Sequence, residues 1–350
     1  MKEEIAYLLW RMEALRERGG EVTTDQRNRV WDWLWADLCT RAEKLDADDA
    51  KKVRLSGVAT RLPHRVNALN LLGSEEMIGT HNKVGLDVLI VTIIEEEFNS
   101  VLAVFGIDRR TTPPIEEIFG HLVYYCEVEK YGGKGKIRVG ITIIGEARNV
   151  RCANFCRSMF KLTSADTAIL VGIAGGFKDK VNIGDVVGSC DVWDYEGGRV
   201  DMDRVLPEPD FHKSDGPIRN LFKAFNPLRD NEWKEEWGSV VERLAGTNAQ
   251  VPKNFDVEKI RYVEGVMACG EKVRRDNLLP TLNEEQHRKI YAVEMEGSGF
   301  AAAAKEDNKQ WLIIRGIADY GNKRKRDEWQ AVAAAMAGLV CKSFLRYGMR

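Results

Sequence analysis

The sequence predicts an α/β fold over residues 83–350, preceded by a small all-α domain over residues 1–82. Three observations support this prediction. The first 82 residues place apolar side chains at helical spacing and show no strand-like alternation. From Asp87 onward, short continuous apolar runs alternate with helical patterns, which is typical of strands buried between layers of helices. Acidic residues follow several of these runs, at the position where open α/β sheets usually bind ligands.

The first domain is predicted to contain three helical stretches. The first helix ends at Gly19-Gly20, Thr23–Asp25 caps the second, and the third, from Asp48 to about Leu72, is interrupted by Pro63. Because this domain carries no cluster of catalytic polar residues, we expect an interaction or assembly domain whose protein partner the sequence does not specify. The apolar faces of the first two helices are formed by Ile5, Leu8, Leu9, Met12 and Leu15, and by Val30, Trp31, Leu34, Trp35 and Leu38.

The second domain begins with a strand, Val88–Ile94, followed at once by a helix that starts at Glu95. Residues 121–129 and 136–144 are predicted to pair as an antiparallel hairpin, because a glycine-rich turn joins them. Residues 194–260 contain most of the prolines and are predicted to form an irregular or part-helical excursion over the sheet. The remaining elements predicted before residue 270 are a helix at 150–162 and strands at 168–171, 183–187 and 262–266.

Residues 291–319 hold the acids that suggest chemistry. A short strand runs into an alanine-rich helix, and Glu294 and Glu296 lie at their junction. A second apolar strand, 311–314, is predicted to end before Asp319. Acids at strand ends are typical of small-molecule sites. An alternative explanation is equally supported by this pattern alone, namely that acids favour a helix start through the helix dipole.

The composition limits the classes of function. Of the 350 residues, 44% are hydrophobic and 30% charged, and the net charge of −2 argues against a nucleic-acid-binding surface. No apolar run approaches the roughly 20 residues that span a bilayer, and the N-terminus has no signal-peptide core, so we expect a cytoplasmic protein without a membrane segment. The seven cysteines include no Cys-x-x-Cys pair, and neither a metal nor an organic cofactor is expected.

The order of motifs resembles the purine nucleoside phosphorylase and nucleosidase superfamily over roughly residues 86–348. The family's fold is a twisted mixed sheet, partly closed into a barrel, in a three-layer α/β/α arrangement, and its activity is cleavage of the bond between a purine and a ribosyl group. The motifs are Glu-Glu-Glu at 95–97, Gly-x-Ala-Gly-Gly at 172–176, Gly-Asp-Val-Val at 184–187, Ala-Cys-Gly-Glu-Lys-Val at 268–273, Val-Glu-Met-Glu-Gly at 293–297 and Arg-Gly-Ile-Ala-Asp at 315–319.

The resemblance implies a role for each matching position. Asp319 takes the place of the general acid that protonates or hydrogen-bonds N7 of the leaving purine, a contribution of about 10²–10⁴-fold in rate. Glu296 matches the glutamate that holds the ribose hydroxyls. The other implied substrate-binding residues are Met295, packed against sugar and base, Val273 and Arg274, facing the base, and Ala174 and Gly175, whose backbone approaches the sugar.

The same resemblance implies water rather than phosphate as the nucleophile. Three acids, Glu95–Glu97, follow the first strand where phosphorylases of the family bind an anion, and Leu170 and Ile173 replace the family's arginine and hydroxyl. Glu97 is therefore expected to position and deprotonate water, with Arg315 steering Glu97 or the water. The alternative for these acids is a solvated first helical turn, which we expect for Glu95 and Glu96.

The segment 315–333 resembles one branch in particular, the phosphorylase-like domain of fungal receptors and bacterial anti-phage proteins, whose members are similar to nucleosidases acting on ATP or dATP. The basic run Lys323–Arg326, with Arg148 or Lys178, would then meet the triphosphate, although a solvated loop is the commoner explanation of such a run. Ala318 departs from the serine common before the acid. The alternatives are a housekeeping nucleosidase of the methylthioadenosine/adenosylhomocysteine type and a non-catalytic sensor of purine nucleotides. Self-association is expected from the family.

Overall fold

A mixed β-sheet organises the part of the chain that the computed structural model describes, which comprises residues 83–118, 121–201, 204–207, 209–225, 232–247, 249–271, 289–321 and 327–349. The predicted helical domain of residues 1–82, together with Val273, Arg274 and the basic run Lys323–Arg326, lies outside these ranges.

Among the described residues, twelve strands form the main sheet, and several of them coincide with the predicted apolar runs. They are β1 Val88–Thr92, β2 Ile115–Ile118, β3 His121–Glu129, β4 Lys136–Ile143, β5 Thr167–Gly176, β6 Val186–Ser189, β7 Asp191–Asp194, β10 Asp210–Lys213, β11 Tyr262–Glu264, β12 Val266–Cys269, β13 Ile290–Glu294 and β14 Gln310–Asp319, while β8 Gly198–Asp201 and β9 Arg204–Pro207 form a separate two-stranded sheet.

Helices connect the strands and cover the sheet. They are α1 Glu95–Val104, α2 Asn149–Leu162, α3 Pro217–Ala224, α4 Glu232–Glu235, α5 Trp237–Ala245, α6 Gly297–Glu306 and α7 Gln330–Ser343. A π-helical turn, Phe344–Gly348, follows α7. Among the described residues, no helix combines the length and apolar character needed to cross a membrane.

The centre of the sheet is parallel and buried on both faces. All five residues of β1 are buried, and β1 pairs in parallel with both β4 and β5. Strand β14 pairs in parallel with β5 and antiparallel with β6. The continuous apolar sequence of these strands therefore reflects burial between helices, as predicted. The hairpin of β3 and β4 is also confirmed as antiparallel.

Strand β14 is longer than predicted. The apolar run suggests 311–314, but the strand continues through Asp319, so this acid is the last residue of the strand rather than a residue beyond it. Arg315 and Gly316, which interrupt the apolar pattern, are both accommodated inside. The side chain of Arg315 is wholly buried, and a side chain at Gly316 would overlap the carbonyl oxygen of Ala333 on α7.

Residues 194–260 are part-helical, as predicted, but they also extend the sheet. Helices α3, α4 and α5 lie in this segment. Strand β10 pairs antiparallel with β7 at the edge of the sheet, which the sequence pattern did not indicate. The four residues of β10, Asp-Phe-His-Lys, are half-buried or exposed, and a strand that buries so little carries a weak hydrophobic signal.

Candidate active site

A buried arginine lies at the centre of the candidate site. Arg315 of β14 has no exposed surface, and its guanidinium contacts three carboxylates from three different parts of the fold. Nη1 donates to Glu97 Oε1 at 3.3 Å. Nη2 donates to Glu294 Oε2 at 2.8 Å and to Glu296 Oε2 at 3.2 Å. The structure thus joins Glu97, Glu296 and Arg315, the residues that the sequence assigned to water and ribose, in one cluster.

Glu97 is held by backbone donors in addition to the arginine. Its Oε2 accepts the N–H groups of Ile93 and Ile94 at 2.7 and 3.1 Å, and its Oε1 accepts the N–H of Ile173 at 2.8 Å. Only 2% of Glu97 is exposed, whereas Glu95 and Glu96 are exposed. The solvated first turn therefore describes Glu95 and Glu96, as expected, and does not describe Glu97.

The close approach of Glu97 and Arg315 depends on a glycine in β5. A Cβ atom added at Gly172 would overlap Glu97 Oε1 and Arg315 Nη1. In the β5–β14 register, Gly172 lies directly opposite Arg315. The first glycine of the Gly-x-Ala-Gly-Gly motif is therefore required by the carboxylate–guanidinium contact, which the sequence alone did not reveal.

Glu294 caps helix α6. Its carboxylate accepts the N–H of Glu296 at 3.1 Å and the N–H of Gly297 at 2.9 Å. These donors are helix-start N–H groups that have no partner within the helix. The helix-start explanation is thus correct for Glu294, although the same carboxylate also binds Arg315.

The surroundings of Glu296 change its pKa. The pKa of Glu296 is raised to about 7: burial is the largest cause, Arg315 acts in the opposite direction, and the nearby Glu294 and Glu97 add to the rise. Burial alone would lower the pKa of Arg315, but the three carboxylates outweigh it and raise the pKa, so the guanidinium stays charged. The remaining oxygen, Glu296 Oε1, accepts the backbone N–H of Arg148 at 3.2 Å.

Asp319 lies further along the same pair of strands, at the end of β14. It is paired in register with Gly175, and its Oδ1 accepts the N–H of Gly321 at 2.7 Å. Asp319 is half-buried. A Cβ atom at Gly175 would lie 3.4 Å from Asp319 Oδ1 and 3.3 Å from Val293, so this glycine keeps the space beside the acid open.

The other predicted substrate residues lie on the neighbouring strand ends. Ala174 is buried and Gly175 half-buried in β5, and Met295 is half-buried between β13 and α6. The predicted base contacts, Val273 and Arg274, are outside the described residues. Within the described ranges, no group of three or more His, Cys, Asp or Glu side chains has the arrangement of a metal site.

The fold and the site define a class, an α/β protein with a buried arginine–carboxylate cluster beside its central strands. The chain belongs to the Phosphorylase superfamily, whose match spans residues 89–346. The family predicted from the motif order is therefore confirmed.

Two curated proteins show the range of similarity within the family. The chain is 23% identical over 266 residues to the ATP nucleosidase Cap17 of Escherichia coli (strain KTE188), covering 75% of this chain and 51% of that protein. It is 26% identical over 158 residues to the 5'-methylthioadenosine/S-adenosylhomocysteine nucleosidase of Bacillus pumilus (strain SAFR-032), covering 45% of this chain and 58% of that protein. The chain thus spans about half the length of these relatives.

A solved structure confirms the fold. The futalosine hydrolase of Helicobacter pylori strain 26695 superimposes with a TM-score of 0.52 at 18% identity, covering 75% of this chain and 98% of that chain. At this level of identity the similarity establishes a shared architecture, with the mixed sheet and covering helices predicted from the sequence.

Two features of the cluster were missed by sequence reasoning. Glu294 was recognised as an acid at the strand–helix junction but was not connected to Arg315. The sequence carried no signal for this contact, because nothing in the pattern showed that Arg315, 21 residues away, is buried. The backbone contact from Arg148 to Glu296 had no sequence signal, since it depends on the path of a loop 148 residues away.

Proposed function

We propose that this protein is a purine N-glycosidase that hydrolyses the bond between a purine and a ribosyl group. The observation that carries the proposal is the burial of Glu97 against Arg315 and three backbone N–H groups, beside Glu296. A carboxylate held so firmly is suited to fixing one water molecule at one position. Membership of the family and the nucleosidase relatives support the same reaction class.

In the proposed reaction, Asp319 donates a proton to purine N7 while the bond between N9 and C1′ breaks. Water adds to C1′, and its proton passes to Glu97, so the products are the free base and the 1′-hydroxy sugar. The sugar becomes cationic as the bond breaks, and the carboxylate of Glu296 both holds its hydroxyls and stabilises that charge. Arg315 orients Glu97 rather than touching the substrate.

Hydrolysis is favoured over phosphorolysis by the charges of the cluster. The N–H groups of Ile93, Ile94 and Ile173, which an anion would need as donors, are occupied by Glu97. A phosphate beside two carboxylates would be repelled by several kcal/mol, since one pair of unit charges at 4 Å interacts by about 4 kcal/mol at an effective dielectric of 20.

For the substrate, we propose ATP or dATP, giving adenine and a sugar triphosphate. The resemblance of residues 315–333 and the similarity to an ATP nucleosidase support this choice. The triphosphate would be met by Lys323–Arg326, with Arg148 or Lys178 as a further contact. In this proposal residues 1–82 form the assembly domain of an anti-phage type effector, which works as an oligomer in the cytoplasm.

The second candidate is a nucleosidase of the methylthioadenosine/adenosylhomocysteine type. The observation in its favour is the similarity to the Bacillus pumilus nucleosidase over 158 residues. That match covers less of this chain than the match to the ATP nucleosidase, 45% against 75%. We therefore rank it second.

One assay separates these substrates. The purified full chain is incubated with ATP, AMP, adenosine and methylthioadenosine, each with and without phosphate, and free adenine is measured by chromatography. Adenine from ATP, independent of phosphate, is the expected result. Adenine from methylthioadenosine alone supports the second candidate, a requirement for phosphate contradicts hydrolysis, and no adenine from any substrate contradicts the enzymatic proposal in favour of a sensor.

Two substitutions test the assigned chemistry. Asp319→Asn and Glu97→Gln should each remove most turnover, about 10²-fold or more, while the fold is kept. Glu96→Gln is the matched control, because Glu96 is an exposed neighbour of Glu97 in the same helical turn. Unchanged rates in both site variants would refute the site assignment.

A further inference from the structure

The backbone at Arg148 adopts a conformation that ordinary residues avoid. Its φ is 113° and its ψ is 148°, and Asn308 is the other non-glycine residue with positive φ in the described ranges. This region of backbone space is occupied almost entirely by glycine, and an unfavourable conformation persists only when surrounding contacts impose it. Arg148 directly precedes helix α2, so the strained residue sets the direction of the helix start.

The strained peptide is directed at Glu296. The N–H of Arg148 donates to Glu296 Oε1 at 3.2 Å, while the other carboxylate oxygen is bound by Arg315. The two donors approach from different elements and together fix the plane of the carboxylate. A backbone N–H is well suited to this task because, unlike a side chain, it has no rotamer freedom to lose.

Asn149 fastens the same turn to the helix that begins with Glu296. Its Oδ1 accepts the N–H of Gly299 in the first turn of α6 at 2.8 Å and the thiol of Cys269, at the end of β12, at 3.3 Å. A Cβ atom at Gly299 would overlap the backbone carbonyl of Asn149. The start of α2 therefore lies directly on the first turn of α6.

We propose that the turn Arg148–Asn149 is a positioning element that orients the carboxylate of Glu296 toward the ribose and keeps it ionised; this inference rests on the proposed function. Arg148 acts through its backbone N–H, and Asn149 acts by holding that N–H in place. Neither contributes a reacting atom.

The charges around Glu296 make the proposal measurable. Glu296 is faced by Arg315 from β14, Glu294 from β13, Glu97 from α1 and Cys152 from α2. Burial raises the pKa of the Cys152 thiol, so Cys152 is neutral near pH 7. The pKa of Glu296 is raised to about 7, with burial as the largest cause, and the Arg148 N–H is one of the groups that act against the rise. Loss of the turn should therefore raise the pKa of Glu296 further and discharge it at neutral pH.

The test is the pH dependence of adenosine binding, measured by calorimetry between pH 5 and pH 9 in an Asp319→Asn background that prevents turnover. With the native turn, affinity should fall on the acid side with a midpoint near pH 7, where Glu296 takes up its proton. Asn149→Ala should move that midpoint up by about one pH unit, because a hydrogen bond to a charged group is lost. Affinity at pH 7 should then fall severalfold.

Two further variants distinguish an effect on Glu296 from a folding defect in Asn149→Ala. Gly299→Ala disturbs the same contact from α6 and should shift the midpoint in the same direction. Asn149→Ser keeps an acceptor oxygen and should recover part of the shift. Gly238→Ala is the control, because it also adds one methyl group to a helix but meets no atom within 4 Å.

A midpoint that stays in place in both Asn149→Ala and Gly299→Ala would overturn the proposal. A loss of affinity that is equal at every pH would also overturn it, because it would indicate a purely structural role. Adenine release by the protein with native Asp319 is measured in parallel. If that release fails, the proposed hydrolysis fails, whereas the binding midpoint still reports on Glu296.

Discussion

Replacing Glu296 with glutamine is expected to make the protein more stable at pH 8 while abolishing tight ribose binding. Glu296 is 5% exposed and its carboxylate shares its surroundings with Glu294 and Glu97, so its charged form is disfavoured in the folded state. Glutamine has nearly the same shape and mimics the protonated acid. The substitution should therefore relieve an unfavourable charge without opening a cavity.

The magnitude follows from the pKa of Glu296, which rises from its ordinary 4.5 to about 7 on folding. Each pH unit of difference corresponds to about 1.4 kcal/mol. Because the folded state binds the proton more tightly, the wild-type protein loses stability as the pH rises from about 4.5 to about 7, and the loss is constant above that range. At pH 8 the total is about 3 kcal/mol, equivalent to a Tm difference of about 6 °C for a domain of this size.

The assay is thermal unfolding of wild type and Glu296→Gln from pH 4.5 to pH 8. The variant should match the wild type near pH 4.5 and exceed it progressively up to pH 7. Glu96→Gln, which changes an exposed glutamate, serves as the control and should show no such trend. A difference in Tm that does not depend on pH, or a variant less stable than wild type at pH 8, would refute the reasoning.

Two other substitutions test the packing of the cluster, and a third tests the packing of β14 against α7. Arg315→Met leaves three buried carboxylates without their cation and should lower the free energy of unfolding by about 3–5 kcal/mol at pH 8 in urea titrations. Gly172→Ala should reduce the rate of adenine release by about tenfold or more, because the new methyl group pushes Glu97 and Arg315 apart. Its loss of stability should be smaller than that of Arg315→Met. An unchanged rate of adenine release would contradict this prediction. Gly316→Ala should destabilise the fold by several kcal/mol in the same titrations, since its methyl group meets the backbone of α7, which yields less readily than a side chain.

The sequence predicted the strands and helices whose signals are local. The uniform apolar run of β1 and the glycine-rich turn between β3 and β4 each specify their structure within a few residues, and both were confirmed. The resemblance also separated Glu97, to which it assigned a role with water, from Glu95 and Glu96, and the structure buries Glu97 and leaves its two neighbours exposed. The catalytic roles assigned to Asp319, Glu97 and Arg315 stay predictions.

The length of β14 could not be predicted, because the residues that allow Arg315 to be buried are distant from it in the sequence. An arginine after four apolar residues usually marks the end of a buried strand. Arg315 is instead neutralised inside the sheet by Glu97, which is 218 residues away, and by the two glutamates before α6. The hydrophobic pattern along the chain contains no information about ion-pair partners at such separations. A prediction from that pattern therefore places a charged residue such as Arg315 at the surface.

The energetics of the cluster argue for a functional role rather than a stabilising one. Arg315 offsets one of three buried negative charges, and buried ion pairs contribute little net stability even when the charges balance. The raised pKa of Glu296 indicates that its negative charge destabilises the folded state above neutral pH. A site that must bind a developing positive charge on a sugar needs an excess of negative charge before the substrate arrives. The predicted gain in stability and loss of ribose binding in Glu296→Gln therefore have one cause, the uncompensated charge that the strained Arg148 peptide and Arg315 hold in place.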